Sequence, residues 1–241
     1  MSLYSALKKT WHAAIPYKVR LALFNMSPDP VRRARRKFIA GLEKGAEHNE
    51  IYDGEYYAQL VDPTMQISAK TMASSIMEAF KPKSIVDVGC GTGVLMVELQ
   101  SRGASCRGLE YSEAAIATCR KRGLDVMQFD IEKAPPPQGL RADLVISTEV
   151  AEHLPESCAD RFVDLLTGIS DAVVLTAAEP VSAHSSTDHV NEQPLSYWIA
   201  KFEQRGFRYD RDLSERWRKE WEPAGVAHCF FSTVMAFRRG A

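Results

Sequence analysis

Residues 85–93 read IVDVGCGTG, an apolar run that closes on an acid and is followed by glycines at every second position, Gly89, Gly91 and Gly93. No other stretch restricts the fold as much. Ile85, Val86 and Val88 suit a strand buried on both faces of a parallel sheet, and the glycines clear side chains from a sharp turn into the helix begun by VLMVELQ. A ligand can approach such a turn closely along its backbone. The pattern is GxGxG with Asp87 two residues ahead of the first glycine, whereas the dinucleotide fingerprint GxGxxG would put its third glycine at Val94. That shift argues against a pyrophosphate ligand and a nicotinamide cofactor.

Downstream, strand and helix signals alternate. A helix over 68–80 stops before Pro82; then come strand 84–89, helix 93–101, strand 105–110 and helix 112–122. Short strands near 125–129 and 143–148 are separated by the proline-rich APPPQG. Helix 156–168, strand 172–177, helix 194–205 and a final pair of strands near 207–212 and 228–237 complete the order. Such alternation predicts an α/β fold, a parallel sheet with helices on both faces and the ligand beyond the carboxyl ends of its strands. Glu110 closes the second strand seventeen residues after Gly93, where the acid of a mononucleotide-binding unit accepts hydrogen bonds from a ribose diol.

IVDVGCGTG resembles motif I of the class I S-adenosylmethionine-dependent methyltransferases. The resemblance implies a Rossmann-like seven-stranded sheet ending in an antiparallel hairpin, with Asp87 near the methionine moiety of the cofactor and Glu110 on its ribose. It also implies that Tyr111 packs near the adenine, that Asp130 with Ile131 meets the adenine after the third strand, and that Thr148 at the fourth strand tip faces the methyl group. The chain then divides into a basic N-terminal extension, residues 1–50, and a methyltransferase domain, residues 51–241.

ADLVISTEVAEHLPE, residues 142–156, resembles the family's fourth strand and the loop after it, and it carries an ExxEH string: Glu149, Glu152 and His153. With His189 added, two carboxylates and two imidazoles could hold a divalent ion such as Mg, against which an acceptor hydroxyl loses its proton. The small-RNA 2′-O-methyltransferases of plants and bacteria carry a similar ExxEH, with a later histidine on a segment resembling DHVNE. The same string also occurs in methyltransferases of quinones and small metabolites, where the acids oppose a helix dipole. Both readings stay open at this level.

Residues 178–207 bring His184 and His189 over the mouth of the sheet, followed by Tyr197 and Trp198 on a helix, and so form the expected acceptor site. A neutral histidine, with a reference pKa of about 6.5, can take the proton from a hydroxyl or ammonium as the methyl transfers in line. His189 is the first candidate, and His184 and His153 follow; Glu149 stands beside them. HVNEQPLSYW resembles bacterial methyltransferases that modify sugars and other small metabolites. Ahead of the glycine turn, Tyr52, Tyr56 and Tyr57 form an aromatic group that could lid a sulfonium, with Tyr56 facing the substrate.

At 241 residues and 45% apolar content, the chain can bury one sizeable core and carry an extension. Its five cysteines are scattered without CxxC spacing and read as reduced thiols, and no run is long enough to span a membrane, so a soluble cytoplasmic protein is expected. Net charge is −1, yet residues 1–40 hold every basic side chain from Lys8 to Lys37 against the single acid Asp29. Such an arm suits an anionic membrane surface, a polyanionic substrate or plain solvation. Three functions follow as expectations: a small-molecule methyltransferase acting on oxygen or nitrogen, a metal-assisted methyltransferase of RNA, or a non-catalytic S-adenosylmethionine-binding protein.

Overall fold

The glycine turn sits at the centre of a seven-stranded sheet. A computed structural model describes residues 54–180 and 189–240, with Thr10 and Ala14. The rest of the basic extension, Tyr52 and His184 therefore lie outside the described residues. In chain order the strands are β1 Ser84–Val88, β2 Ser105–Glu110, β3 Asp125–Gln128, β4 Leu144–Thr148, β5 Ala172–Thr176, β6 Phe207–Tyr209 and β7 Met235–Arg239. Their spatial order is β3-β2-β1-β4-β5-β7-β6. All neighbours from β3 to β5 pair in parallel, and β7 runs antiparallel to both β5 and β6. The order reverses at β1, where β2 lies on one side and β4 on the other; ligands of open α/β sheets bind outside the strand ends at such a switch point.

The helices are α1 Asp62–Phe80, α2 Val94–Gln100, α3 Glu113–Lys121, α4 Ala159–Ile169, α5 Leu195–Glu203, α6 Arg211–Trp221 and α7 His228–Thr233. Side chains that alternate along each strand feed two cores. Ile85, Leu144, Ile146 and Val174 pack with Met72, Met96, Leu99, Trp217 and Trp221 of α1, α2 and α6. On the other face Val86, Val145, Val173 and Leu175 pack with Phe162 and Leu166 of α4 and Trp198 and Phe202 of α5. No helix among the described residues is long and apolar enough to cross a membrane.

Two sequence expectations change. The final pair of strands shrinks to 207–209 and 235–239, with α6 and α7 between them. Asp210 ends β6 by capping α6, its carboxylate accepting from the Leu213 amide at 3.2 Å. Residues 228–233 read as strand from their aromatics, but they form α7, which buries Phe230 and Thr233. The helix expected to begin at 68 starts at Asp62 with Pro63 in its first turn, and a π-helical turn, Tyr57–Val61, leads into it.

Candidate active site

Gly89, Gly91 and Gly93 all adopt left-handed backbone, with φ of 74°, 54° and 77°. A side chain at Gly89 would collide with Val150, and one at Gly93 with Leu124. The turn is thus both strained for any other residue and packed too tightly to hold one. Asp87, the last but one residue of β1, is 2% exposed, and its Oδ1 has no hydrogen-bond partner. Burial first, and the Glu110 carboxylate second, push its carboxyl up to about 8. A buried acid left half unsatisfied is a costly arrangement for a purely structural residue.

Glu110 closes the neighbouring strand. Its Oε2 accepts from the Gly91 amide and its Oε1 from the amides of Tyr111 and Ser112, each at 2.8 Å. Burial raises its pKa while those three amides pull the other way. Oε1 is filled by two amides and Oε2 keeps one acceptor site, and the carboxylate is fixed beside the glycine turn. Asp130 does something more local: its Oδ1 accepts from the amides of Glu132 and Lys133 at 2.9 and 3.1 Å and so closes the turn after β3. Ile131, next to it, is half-buried, and its carbonyl is held by Arg161 Nε at 2.8 Å.

Of the three tyrosines ahead of the turn, Tyr57 lies over it. Its ring is 3.5 Å from the place a Gly91 Cβ would occupy, and it is 7% exposed. Burial pushes its phenol well up, against a hydrogen bond from Ser112. Tyr56 is half-buried and meets the Tyr57 ring edge to face, with centroids 5.4 Å apart. The strap carrying both is pinned by a three-way contact: Asp62 accepts from Thr92 Oγ1 and Arg122 Nη2, and Arg122 Nη1 donates to the Thr92 carbonyl at 2.7 Å.

A second cluster forms past the ends of β4 and β5. Thr148 ends β4 opposite Thr176 of β5, and Glu149 follows with φ of 55°, a left-handed backbone rare for a residue other than glycine. Its amide donates to the Thr176 hydroxyl and carbonyl, both at 3.1 Å. Burial, then the adjoining Glu152, pushes the Glu149 carboxyl well above the usual range. Glu152 lies in the short 3₁₀ turn Ala151–His153, is fully buried, and has no hydrogen-bond partner on either side-chain oxygen. Its carbonyl accepts from the amides of Val190 and Asn191 at 2.8 and 3.0 Å, which staples the returning loop to the turn. His153 and His189 consequently meet edge to face at 4.9 Å between centroids. One ligand atom from each of Glu152, His153 and His189 lies within 4.8 Å of the others, close enough to share a metal ion.

The loop after β5 was the expected acceptor site, and its two aromatics part company. Trp198 is fully buried in the core against Phe162, while half-buried Tyr197 packs on it and under Lys201 Nζ, 4.9 Å from the ring centroid. Three residues that sequence reasoning did not single out join the cluster. Glu192 Oε1 lies 2.8 Å from His189 Nδ1, Thr176 hydrogen-bonds the Glu149 carboxyl, and Cys229 of α7 is near enough that Glu149 adds to the rise in its thiol pKa. The His189-to-Glu192 spacing was visible in HVNE; the other two come from remote segments and left no local signal.

A model of the methyltransferase-domain family matches residues 52–219. The ubiquinone biosynthesis O-methyltransferase of Hahella chejuensis is 32% identical over 150 residues, 60% of this chain and 57% of that protein. The enzyme of the same name from Pseudomonas paraeruginosa is 34% identical over 80 residues, 31% of this chain. The alignments thus span only 57% and 34% of those relatives' own length. Among solved structures, magnesium protoporphyrin IX methyltransferase from Synechocystis, with bound S-adenosylmethionine, superposes with a TM-score of 0.55 at 17% identity over 75% of this chain and 82% of that one. Sheet order, glycine turn and family match agree, and the chain belongs to the methyltransferase-domain family, among the class I S-adenosylmethionine-dependent methyltransferases.

Proposed function

We propose that this chain transfers the methyl group of S-adenosylmethionine to an oxygen or nitrogen of a small-molecule acceptor. The observation that carries the reading is the pairing of Asp87, buried with an unsatisfied oxygen, with Glu110 across a turn of three left-handed glycines. The first suits the cationic methionine end of the cofactor and the second its ribose diol. The acceptor lies over Glu149, Glu152, His153 and His189, one strand along from the cofactor. Glu192 at Nδ1 fixes the His189 ring, so that Nε2 is the atom that receives the acceptor's proton.

Calorimetric titration with S-adenosylhomocysteine tests the cofactor half. Binding is expected, and Glu110→Ala should weaken it about 10- to 100-fold, the worth of charge-assisted hydrogen bonds. Binding of NAD with none of S-adenosylhomocysteine would overturn the proposal.

A second reading adds a metal. It is favoured by the two unpartnered Glu152 oxygens and the convergence of Glu152, His153 and His189. Two imidazoles in the donor set suit a borderline ion such as Zn better than Mg, which prefers oxygen ligands and water. When bound, such an ion would supply Lewis acidity to an acceptor hydroxyl. Loss of turnover with EDTA, restored by added ion, separates this reading from the first.

A further inference from the structure

The glycine turn holds a pair of thiols that methyl transfer does not call on. Cys90, inside the turn, and Cys119 of α3 both donate to the Gly91 carbonyl, at 3.7 and 3.2 Å. The two thiols also hydrogen-bond each other, and that contact, followed by burial, holds the Cys90 thiol well above its ordinary pKa. Cys119 is fully buried and Cys90 half-buried, and neither is in a disulfide. Room for the pair comes from two missing side chains: a Cβ at Gly108 would lie 2.5 Å from Cys90 Sγ, and one at Gly93 would lie 3.2 Å from Cys119 Sγ.

Adjoining thiols are the starting material of a disulfide. That bond is about 2.05 Å long, well inside any hydrogen-bonded contact, so one side of the pair has to yield when it forms. Helix α3 is the firmer side, because the Cys119 carbonyl accepts from the amides of Arg122 and Leu124, both at 3.0 Å, and Leu124 packs against Gly93. The turn, with its three left-handed glycines, is the softer one. Bridging also strips both S–H donors from the Gly91 carbonyl, which favours a shift of that residue. The Gly91 amide is the donor that holds Glu110 Oε2 at 2.8 Å, so moving Gly91 disturbs the carboxylate read as the ribose ligand.

Resting on the methyltransferase reading above, we infer that Cys90 and Cys119 form a reversible redox switch at the cofactor turn: a peroxide joins them, and the bridged protein loses its hold on the cofactor. The Cys90 thiolate attacks one peroxide oxygen, the O–O bond breaks, and Cys90 becomes a sulfenic acid as the other oxygen leaves as water. The Cys119 sulfur then attacks the Cys90 sulfur and expels the hydroxyl group, which takes the Cys119 proton and leaves as a second water. Both thiols are thus oxidised and the peroxide is reduced. A dithiol reductant reverses the bridge. The raised Cys90 pKa keeps its thiolate scarce, so the pair responds to sustained peroxide rather than to traces. By linkage, a cofactor that binds the unbridged turn more tightly opposes bridging by the same factor.

The experiment incubates the full chain with hydrogen peroxide in EDTA, then follows it by peptide mass spectrometry and by calorimetry with S-adenosylhomocysteine. A linked Cys90–Cys119 peptide pair, released by dithiothreitol, should accumulate, and saturating S-adenosylhomocysteine should suppress it at equilibrium with a dithiol buffer by about tenfold. The bridged protein should bind S-adenosylhomocysteine at least about tenfold more weakly than the reduced one and recover after dithiothreitol. Cys119→Ser, which keeps a donor for the Gly91 carbonyl, should form no bridge and hold its affinity within about twofold through the same treatment; Cys119→Ala is the second variant. Absence of the Cys90–Cys119 pair, unchanged affinity in the bridged chain, or an equal loss of affinity in folded Cys119→Ser or Cys119→Ala each overturns the inference. Failure of the reduced, unaltered protein to bind S-adenosylhomocysteine would instead remove the methyltransferase reading on which it rests.

Discussion

Asp87 shows how much one side chain can couple. Its carboxyl shifts from an ordinary 3.8 to about 8 in the ligand-free fold, so the folded state holds a proton that the unfolded chain gives up. A raised carboxyl pKa contributes stability fully below the unfolded value and loses it as pH rises through the folded one. Urea melts of the cofactor-free protein should therefore weaken between about pH 4 and pH 8, and Asp87→Asn should flatten that slope. Cofactor binding carries the opposite sign. A cation beside Asp87 favours its ionised form, so the affinity for S-adenosylhomocysteine should rise with pH between 6 and 7.5, by at most about tenfold per unit, with release of a proton. Calorimetry in buffers of different ionisation heat measures both the slope and the proton; a falling affinity would contradict the placement of the methionine end. Asp87 and Glu110 were legible in the sequence because each lies at or next to the end of its strand, at a fixed offset from the glycines. Thr176 and Cys229 were not, because they reach Glu149 only once β5 and α7 have folded back beside the β4 tip.

Helix α6 marks the limit of pattern reading among the elements. RDLSERWRKEW is strongly polar, and only Leu213, Ser214, Trp217 and Trp221 are buried, on a narrow stripe spaced by three and four residues. Two stacked indoles, with centroids 5.1 Å apart, fill the space beneath, and Trp221 Nε1 donates to Ser75 Oγ of α1 at 2.9 Å. Trp217→Ala should cost about 3–5 kcal/mol, as expected when a large aromatic is removed from a core, and Asp210→Ala about 1 kcal/mol through the lost cap; equilibrium denaturation measures both. The helix eluded the sequence reading because the stripe is short and the aromatic HCFF beyond it mimics a strand. β1, β4 and β5 were legible to within a residue or two because buried parallel strands are near-continuous apolar runs, and β2, whose Ser105 and Arg107 are exposed, through its offset from the glycine turn.

For the whole molecule, the two acids and the ExxEH cluster lie at the carboxyl ends of the neighbouring strands β2, β1 and β4, while the strap at Tyr57–Asp62 packs over the glycine turn from the segment ahead of it. The strap is expected to gate a cofactor seated on that turn, since the Tyr57 ring lies against Gly91. Removing its anchor with Arg122→Ala should speed release of S-adenosylhomocysteine about tenfold, equivalent to about 1.4 kcal/mol, while global stability changes by less than about 1 kcal/mol. Stopped-flow release and a urea melt test the pair; unchanged release would mean that the strap is fixed packing. The general architecture was readable because alternation of strand and helix leaves few topologies. The strap was harder to see, since its contacts join residues 30 and 60 positions apart.

The sheet order has a further consequence for how the protein is made. β7 follows β6 in the chain but lies between β5 and β6, antiparallel to both. On the ribosome, β1 to β5 with α1 to α4 can assemble as soon as they emerge, yet β6 has no neighbour to pair with until residue 239 has cleared the exit tunnel. Until then β5 presents an open, mostly apolar edge of the kind that recruits other chains. Synthesis of the last strand thus closes the molecule, and for the time it takes to translate α6 and α7 a nascent chain has a finished glycine turn beside an unfinished sheet.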